Sequence, residues 1–241
     1  MTLIIFGIIT GFVSGFFGVG GGMVLIPLLL LYGFDMKSSV AISIMQMVFS
    51  SIYGTLLNYK KNKAILKDGM VIGIGGFLGG SLSGIIVPNI DDQYLKYLFL
   101  FIVALAIIRV YLTSAEHTKV VKKHDPIILV FVGFIIGMIA MSIGVGGSVM
   151  LTPILVGYMF YNLKDATSLG LFFVIFSSIA GFISLSVSGN MLYNEGFMIG
   201  ISSLIGVYIG IKIKHKIHLK SYKVLILGLY TLIVISLLFK L

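Results

Sequence analysis

The 241-residue chain contains no cysteine. That excludes disulfides, thiolate metal sites and any mechanism that carries sulfur on a protein thiol. Charge is scarce as well, at 10% of residues, where a soluble domain carries about a quarter. Only eight residues are acidic (Asp35, Asp68, Asp91, Asp92, Glu116, Asp125, Asp165 and Glu195), and each falls in a loop or at the end of an apolar stretch. The four histidines, His117, His124, His215 and His218, do the same. The apolar interior therefore offers no proton relay and no counter-ion for a cation. It holds no nucleophile–base pair, acidic pair or metal-ligand cluster either, so the reading is that of a non-enzyme with no cofactor. The net charge of +9 raises nucleic acid as a partner. The basic residues stand between apolar stretches, however, as the positive-inside rule describes for membrane proteins, and nucleic acid is set aside.

What is abundant is hydrocarbon: 59% of residues are hydrophobic, and the mean hydropathy is +1.14. Apolar stretches recur at 38–57, 69–87, 94–112, 166–187, 196–213 and 222–239. Each has 18 to 22 residues, the length a helix needs to cross about 30 Å of hydrocarbon at 1.5 Å per residue. A sheet with open edges leaves backbone groups unpaired in lipid, and no segment alternates with the period of a barrel strand. The fold class is all-α and polytopic. The stretch 3–17 has no basic flank and no small-residue cleavage site, so it is expected to belong to the mature protein and not to a signal peptide.

The sequence is duplicated. Gly18-Val19-Gly20-Gly21 returns as Gly144-Val145-Gly146-Gly147, and Pro27 as Pro153, at an offset of 126. Phe49-Ser50-Ser51-Ile52 with Gly54 returns as Phe176-Ser177-Ser178-Ile179 with Gly181, and Lys67-Asp68-Gly69 aligns with Asn194-Glu195-Gly196, at 127. The reading is two transmembrane repeats, 1–115 and 127–241, joined by a cytoplasmic linker at 116–126.

Orientation follows from lysine and arginine. If the glycine-interrupted stretches 3–32 and 127–160 each cross once, the repeats are parallel and the basic residues split nine to eight between the two sides. If each enters and leaves on one side as a re-entrant or short-helix pair, fourteen of the seventeen fall on one side, in 58–68, 109–125, 161–165 and 212–223. The orientation rule selects the second arrangement. It makes the repeats inverted, each with a broken helix pair and three spanning helices. Length agrees: 3–17 is about 22 Å of helix and 22–31 about 15 Å, both short of a full crossing. The lysines of 212–223 are read as a solvated loop in contact with anionic lipid head groups.

Glycine rows such as Gly7, Gly11 and Gly15, or Gly76, Gly80 and Gly84, are read as close helix packing. The doubled motif is different, because it breaks a helix where freed backbone groups are costly. Inverted repeats with broken helices put the transporter site at the repeat interface near the midplane. A new helix starts after each run, with bare amides at Gly20, Gly21 and Gly22 and at Gly146, Gly147 and Ser148. Two such positive ends facing each other suit an anion. Gln46 needs a partner or a wet cavity in mid-span. Ser50, Ser51, Ser177, Ser178 and Thr152 offer hydroxyls, although a serine in a helix more often bonds its own backbone.

On the motif G-V-G-G-G-x4-P at 18–27, its second copy at 144–153 and the serine segment after each, the chain resembles the TauE/SafE family of bacterial membrane permeases, often called sulfite exporters. The resemblance covers nearly the whole chain. It implies export of small anions such as sulfite, sulfonates or related organic acids from a bacterial inner membrane. Ser148 stands where the first copy has Gly22, so the half-sites are not equivalent. The expectation is a secondary transporter whose partners are a small anion and membrane lipids. A passive anion channel is the alternative, and a membrane enzyme or a regulatory subunit is more remote. Passenger, coupling ion and oligomeric state stay open.

Overall fold

The computed structural model describes residues 1–58, 65–112, 125–214 and 216–238. The linker read at 116–126 lies outside the described residues except for its last two. All regular structure among them is helical. The order is α1 (Thr2–Phe17), α2 (Gly22–Tyr32), α3 (Met36–Asn58), α4 (Ile65–Gly80), α5 (Ser83–Asn89) and α6 (Asp92–Leu112), then α7 (Pro126–Ser142), α8 (Ser148–Gly157), α9 (Leu163–Val187), α10 (Tyr193–Lys214) and α11 (Leu219–Leu238).

Local chemistry fixes the boundaries. Gly18 ends α1 in a left-handed conformation, φ 70°, and its N–H donates to Ser14 O at 2.8 Å, the common glycine stop. Gly20 and Gly21 follow at φ 80° and 82°, which only glycine adopts at little cost. In the second copy Gly144 has φ 64°. Asp125 caps α7 by accepting from Ile127 N, with Pro126 in the first turn, and Asn162 caps α9 by accepting from Asp165 N; both are preferred helix starts.

Among the described residues three helices, α3, α9 and α10, are long and apolar enough to cross a membrane, and α4 with α5 makes a fourth candidate bent by 41°. The bend corrects the sequence reading of 69–87 as one uninterrupted span. Its cause is Ser184 of α9, whose hydroxyl accepts from Gly84 N at 2.9 Å and donates to Ser81 O. A side chain inserted into the hydrogen-bond ladder is a recognised cause of kinks.

Close contacts give the helix directions. Along α1, Gly7 meets Ser202, Gly11 meets Ser203 and Gly15 meets Val207, so α1 and α10 run the same way. Gly75 meets Val130 and Gly79 meets Phe134, so α4 and α7 do likewise. Gly54 of α3 lies against Leu171 of α9, and Gly181 of α9 against Ile44 of α3, so the two central helices run in opposite directions. The helix α2 doubles back, bringing the Tyr32 ring to 5.8 Å from that of Phe6 near the start of α1.

The glycine rows are tight. A methyl group on Gly11 would lie 2.0 Å from the Ser203 carbonyl oxygen, backbone that has nowhere to go. Gly11→Leu is therefore expected to cost about 3 kcal/mol, the upper end of overpacking. Gly228→Ala, where nothing stands within 4 Å, is expected to gain about 1 kcal/mol of helix propensity. Thermal unfolding of the detergent-solubilised variants checks both; equal midpoints contradict the packing.

Candidate functional site

The two helix breaks lie against each other. A methyl group on Gly20 would sit 3.0 Å from Gly146 Cα, and one on Gly146 would sit 2.4 Å from Val19 O. Only glycine permits that approach of one backbone to another. The neighbours of Gly20 on the long helices are Met47 and Val174. Met47 is the middle residue of α3 and Val174 is one position from the middle of α9. The breaks thus meet at mid-depth of the two longest helices.

At the first break, Val24 N and Leu25 N donate to Gly21 O at 3.1 and 3.0 Å. That leaves the amides before them, at Gly22 and Met23, at the open end of α2, where a helix carries partial positive charge. Gly20, Gly21 and Gly22 are all buried. At the second break Leu151 N donates to Gly147 O at 2.9 Å and Val149 N to Gly146 O at 3.0 Å. Gly146, Gly147 and Ser148 are likewise buried. Ser43 of α3 stands beside both breaks: its hydroxyl donates to Gly144 O at 2.7 Å and lies 2.3 Å from where a methyl on Gly22 would be.

Gln46 of α3 is the outlier in this packing. It is fully buried, and neither its Oε1 nor its Nε2 has a hydrogen-bond partner. A methyl on Gly21 would lie 2.7 Å from that Oε1 and 2.9 Å from Nε2, so the amide stands directly beside the first break. An unsatisfied buried amide costs about 1–3 kcal/mol on mutational scales, and such groups in membrane proteins mark polar pathways. Phe173 occupies the matching place in the second half, 127 residues on. Its ring lies 2.4 Å from where a Gly147 methyl would be. One half-site presents an amide and the other an aromatic ring.

The serines are buried but turn to their own helices. Ser50 Oγ reaches Met47 O at 3.4 Å, and Ser177 Oγ reaches Phe173 O and Val174 O at 3.4 Å. Ser51 and Ser178 bond Val48 O and Ile175 O in the same way. Ser148 Oγ stands 3.5 Å from Gly146 O, and Thr152 is buried one turn further along α8. Among the described residues no group of three histidine or acidic side chains is arranged for a metal. Towards the α3 C-terminal end, Tyr161 donates to Asp68 Oδ2 at 3.0 Å. Burial, and then the neighbouring carboxylate, push its phenol well above the usual range.

Sequence reasoning missed Ser43, Phe173 and Lys214. Lys214 was read with the solvated lysines of 212–223, yet it is 1% exposed. Its signal was periodicity: Gly200, Ser203, Val207 and Gly210 form the buried face of α10, and Lys214 continues it.

The sequence profile described as Sulfite exporter TauE/SafE matches residues 3–237. The chain belongs to the TauE/SafE family. A probable membrane transporter protein of Methanocaldococcus jannaschii is 30% identical over 96% of this chain and 94% of its own length. A probable membrane transporter protein of Bacillus subtilis is 23% identical over 91% of this chain and 90% of its own. No solved structure matches. This TauE/SafE chain is accordingly a transmembrane transporter, and its apolar helices fit a membrane location.

Proposed function

We propose that the protein is a secondary transporter that exports small anions, such as sulfite or sulfonates, across a bacterial inner membrane. The anion binds where the glycine breaks meet, held by the amides of Gly20, Gly21 and Gly22 and of Gly146, Gly147 and Ser148. Gln46 donates its Nε2–H, and Ser50 and Ser177 rotate from their own helices to add hydroxyl donors. The observation that carries this reading is Gln46, an amide buried without a partner beside a helix N-terminus. A donor kept unsatisfied at a positive helix end is pre-organised for a negative guest.

In this proposal the halves are inverted and each broken pair is re-entrant. The opposed directions of α3 and α9 and the Phe6–Tyr32 contact support it. The end where α3 and α6 finish and α7 begins is then cytoplasmic, because it gathers most of the lysines. The tight closure of the breaks by Met47, Val174 and Phe173, all buried, favours alternating access over an open pore.

The test is flux of labelled sulfite in liposomes containing only this protein. Saturable uptake, accelerated by unlabelled sulfite on the far side, is the expected result. Uptake that never saturates and shows no counter-exchange identifies a channel, and no uptake of sulfite or sulfonates rejects the proposed passengers.

A further inference from the structure

The two ends of the molecule differ in chemistry at four matched positions. Lys214 is buried and its Nζ lies 3.0 Å from Ser168 Oγ. Next to Ser168, the Thr167 carbonyl lies 2.4 Å from where a methyl on Gly18 would be. Tyr222 donates to Phe16 O at 2.7 Å, and its oxygen is 3.4 Å from Thr167 Oγ1. A polar strip thus runs from Lys214 to the start of the first glycine break.

Positions 127 residues earlier carry Val87, Ala41, Val40 and Leu95 in place of Lys214, Ser168, Thr167 and Tyr222. All four are buried in one apolar cluster. The register persists beyond them, since Phe99 and Ile226, and Ala106 and Ile233, are buried pairs at the same spacing. At these four positions the fold packs with hydrocarbon, so packing does not by itself require a lysine and three hydroxyl side chains at their counterparts; Lys37, a lysine of that same end, lies outside them, its Nζ donating to Pro88 O at 2.9 Å. A cavity of about 320 Å³ at that end is lined by Val87 together with Asp35, Lys37 and Asn190.

We infer that Lys214, with Ser168, Thr167 and Tyr222, forms a second anion station at the lysine-rich end, which loads a small oxyanion before it reaches the glycine breaks. The inference rests on the transport reading above. An ammonium buried among membrane helices is costly and marks an ion path, and this one lies on the side from which an exporter takes its passenger. Ser168 orients the Nζ, and the hydroxyls of Thr167 and Tyr222 line the way inward. The other end has no lysine or hydroxyl at the matched positions, and its own Lys37 is held on Pro88 O, so loading through this strip is one-sided. The competing role is a lysine that merely neutralises the acids of its own end, Asp68 and Asp165.

Sided transport separates the two. In inside-out and right-side-out vesicles carrying the full chain, labelled sulfite uptake is measured for wild type, Lys214→Gln and Lys214→Arg. Glutamine keeps a donor for Ser168 but not the charge. The expected result is a KM raised tenfold or more from the Lys214 face only, with the opposite face within twofold, and recovery by arginine. Equal KM values from both faces in Lys214→Gln overturn the inference while leaving the transporter intact. Absence of wild-type flux removes the transport reading and this station together. Should Lys214→Gln fail to fold, Ser168→Ala decides by the same sided ratio, and an unchanged ratio there rejects the station.

Discussion

Gly21→Ala is expected to lower sulfite flux a hundredfold or more while the protein stays folded. Gly21 has φ 82° and ψ −32°, outside the left-handed helical well, where a side chain costs about 1–3 kcal/mol, a penalty that a well-packed helical protein survives. The added methyl meets Gln46 Oε1 at 2.7 Å and Nε2 at 2.9 Å. Those atoms end a flexible side chain, so the amide swings aside and the backbone holds. The anion then loses both the close approach to the first break and the donor beside it. Each charge-assisted hydrogen bond lost is worth about 1.5–3 kcal/mol, which makes two such losses a hundredfold effect or larger. Flux in liposomes together with an unfolding midpoint checks the pair. Full activity in a folded Gly21→Ala protein removes the first break from the site.

Gln46→Leu is expected to move stability and transport in opposite directions. Leucine is close in volume and satisfies a pocket in which the amide bonds nothing. Relief of the unsatisfied group gains about 1–3 kcal/mol, seen as a higher unfolding midpoint. Transport should fall at least tenfold, chiefly through a raised KM, and stabilisation of the protein by sulfite should vanish. A structural amide gives the reverse: a lower midpoint with unchanged KM. The opposed signs are the diagnostic, since few purely structural substitutions stabilise a fold and disable it.

Much of the architecture was legible because lipid leaves the chain few options. The long helices α3, α9 and α10 appeared as apolar runs, the duplication as glycine, proline and serine in register, and the breaks as glycines that no helix in hydrocarbon accommodates freely. The kink between α4 and α5 was not legible. Its cause is Ser184, about a hundred residues away in sequence, and Gly79-Gly80-Ser81 reads locally like the other small-residue rows. The meeting of Gly20 with Gly146 is likewise long-range, visible in the sequence only as two copies of one motif. Gln46 stood out as an amide in an apolar run, whereas Phe173 looked like ordinary core until its position opposite Gly147 became clear. Lys214 was hidden by composition: in a lysine-rich run, only helical phase distinguishes the one that faces inward.

The partnership of α1 with α10 also has a timetable. Gly7 finds its seat on Ser202, which the ribosome makes nearly two hundred codons later. At about 5–20 residues per second, the first helix waits roughly ten to forty seconds in the membrane with its glycine face against lipid or a chaperone. Biogenesis of the amino-terminal half is therefore a holding problem, and separately expressed halves are expected to be stable only when made together.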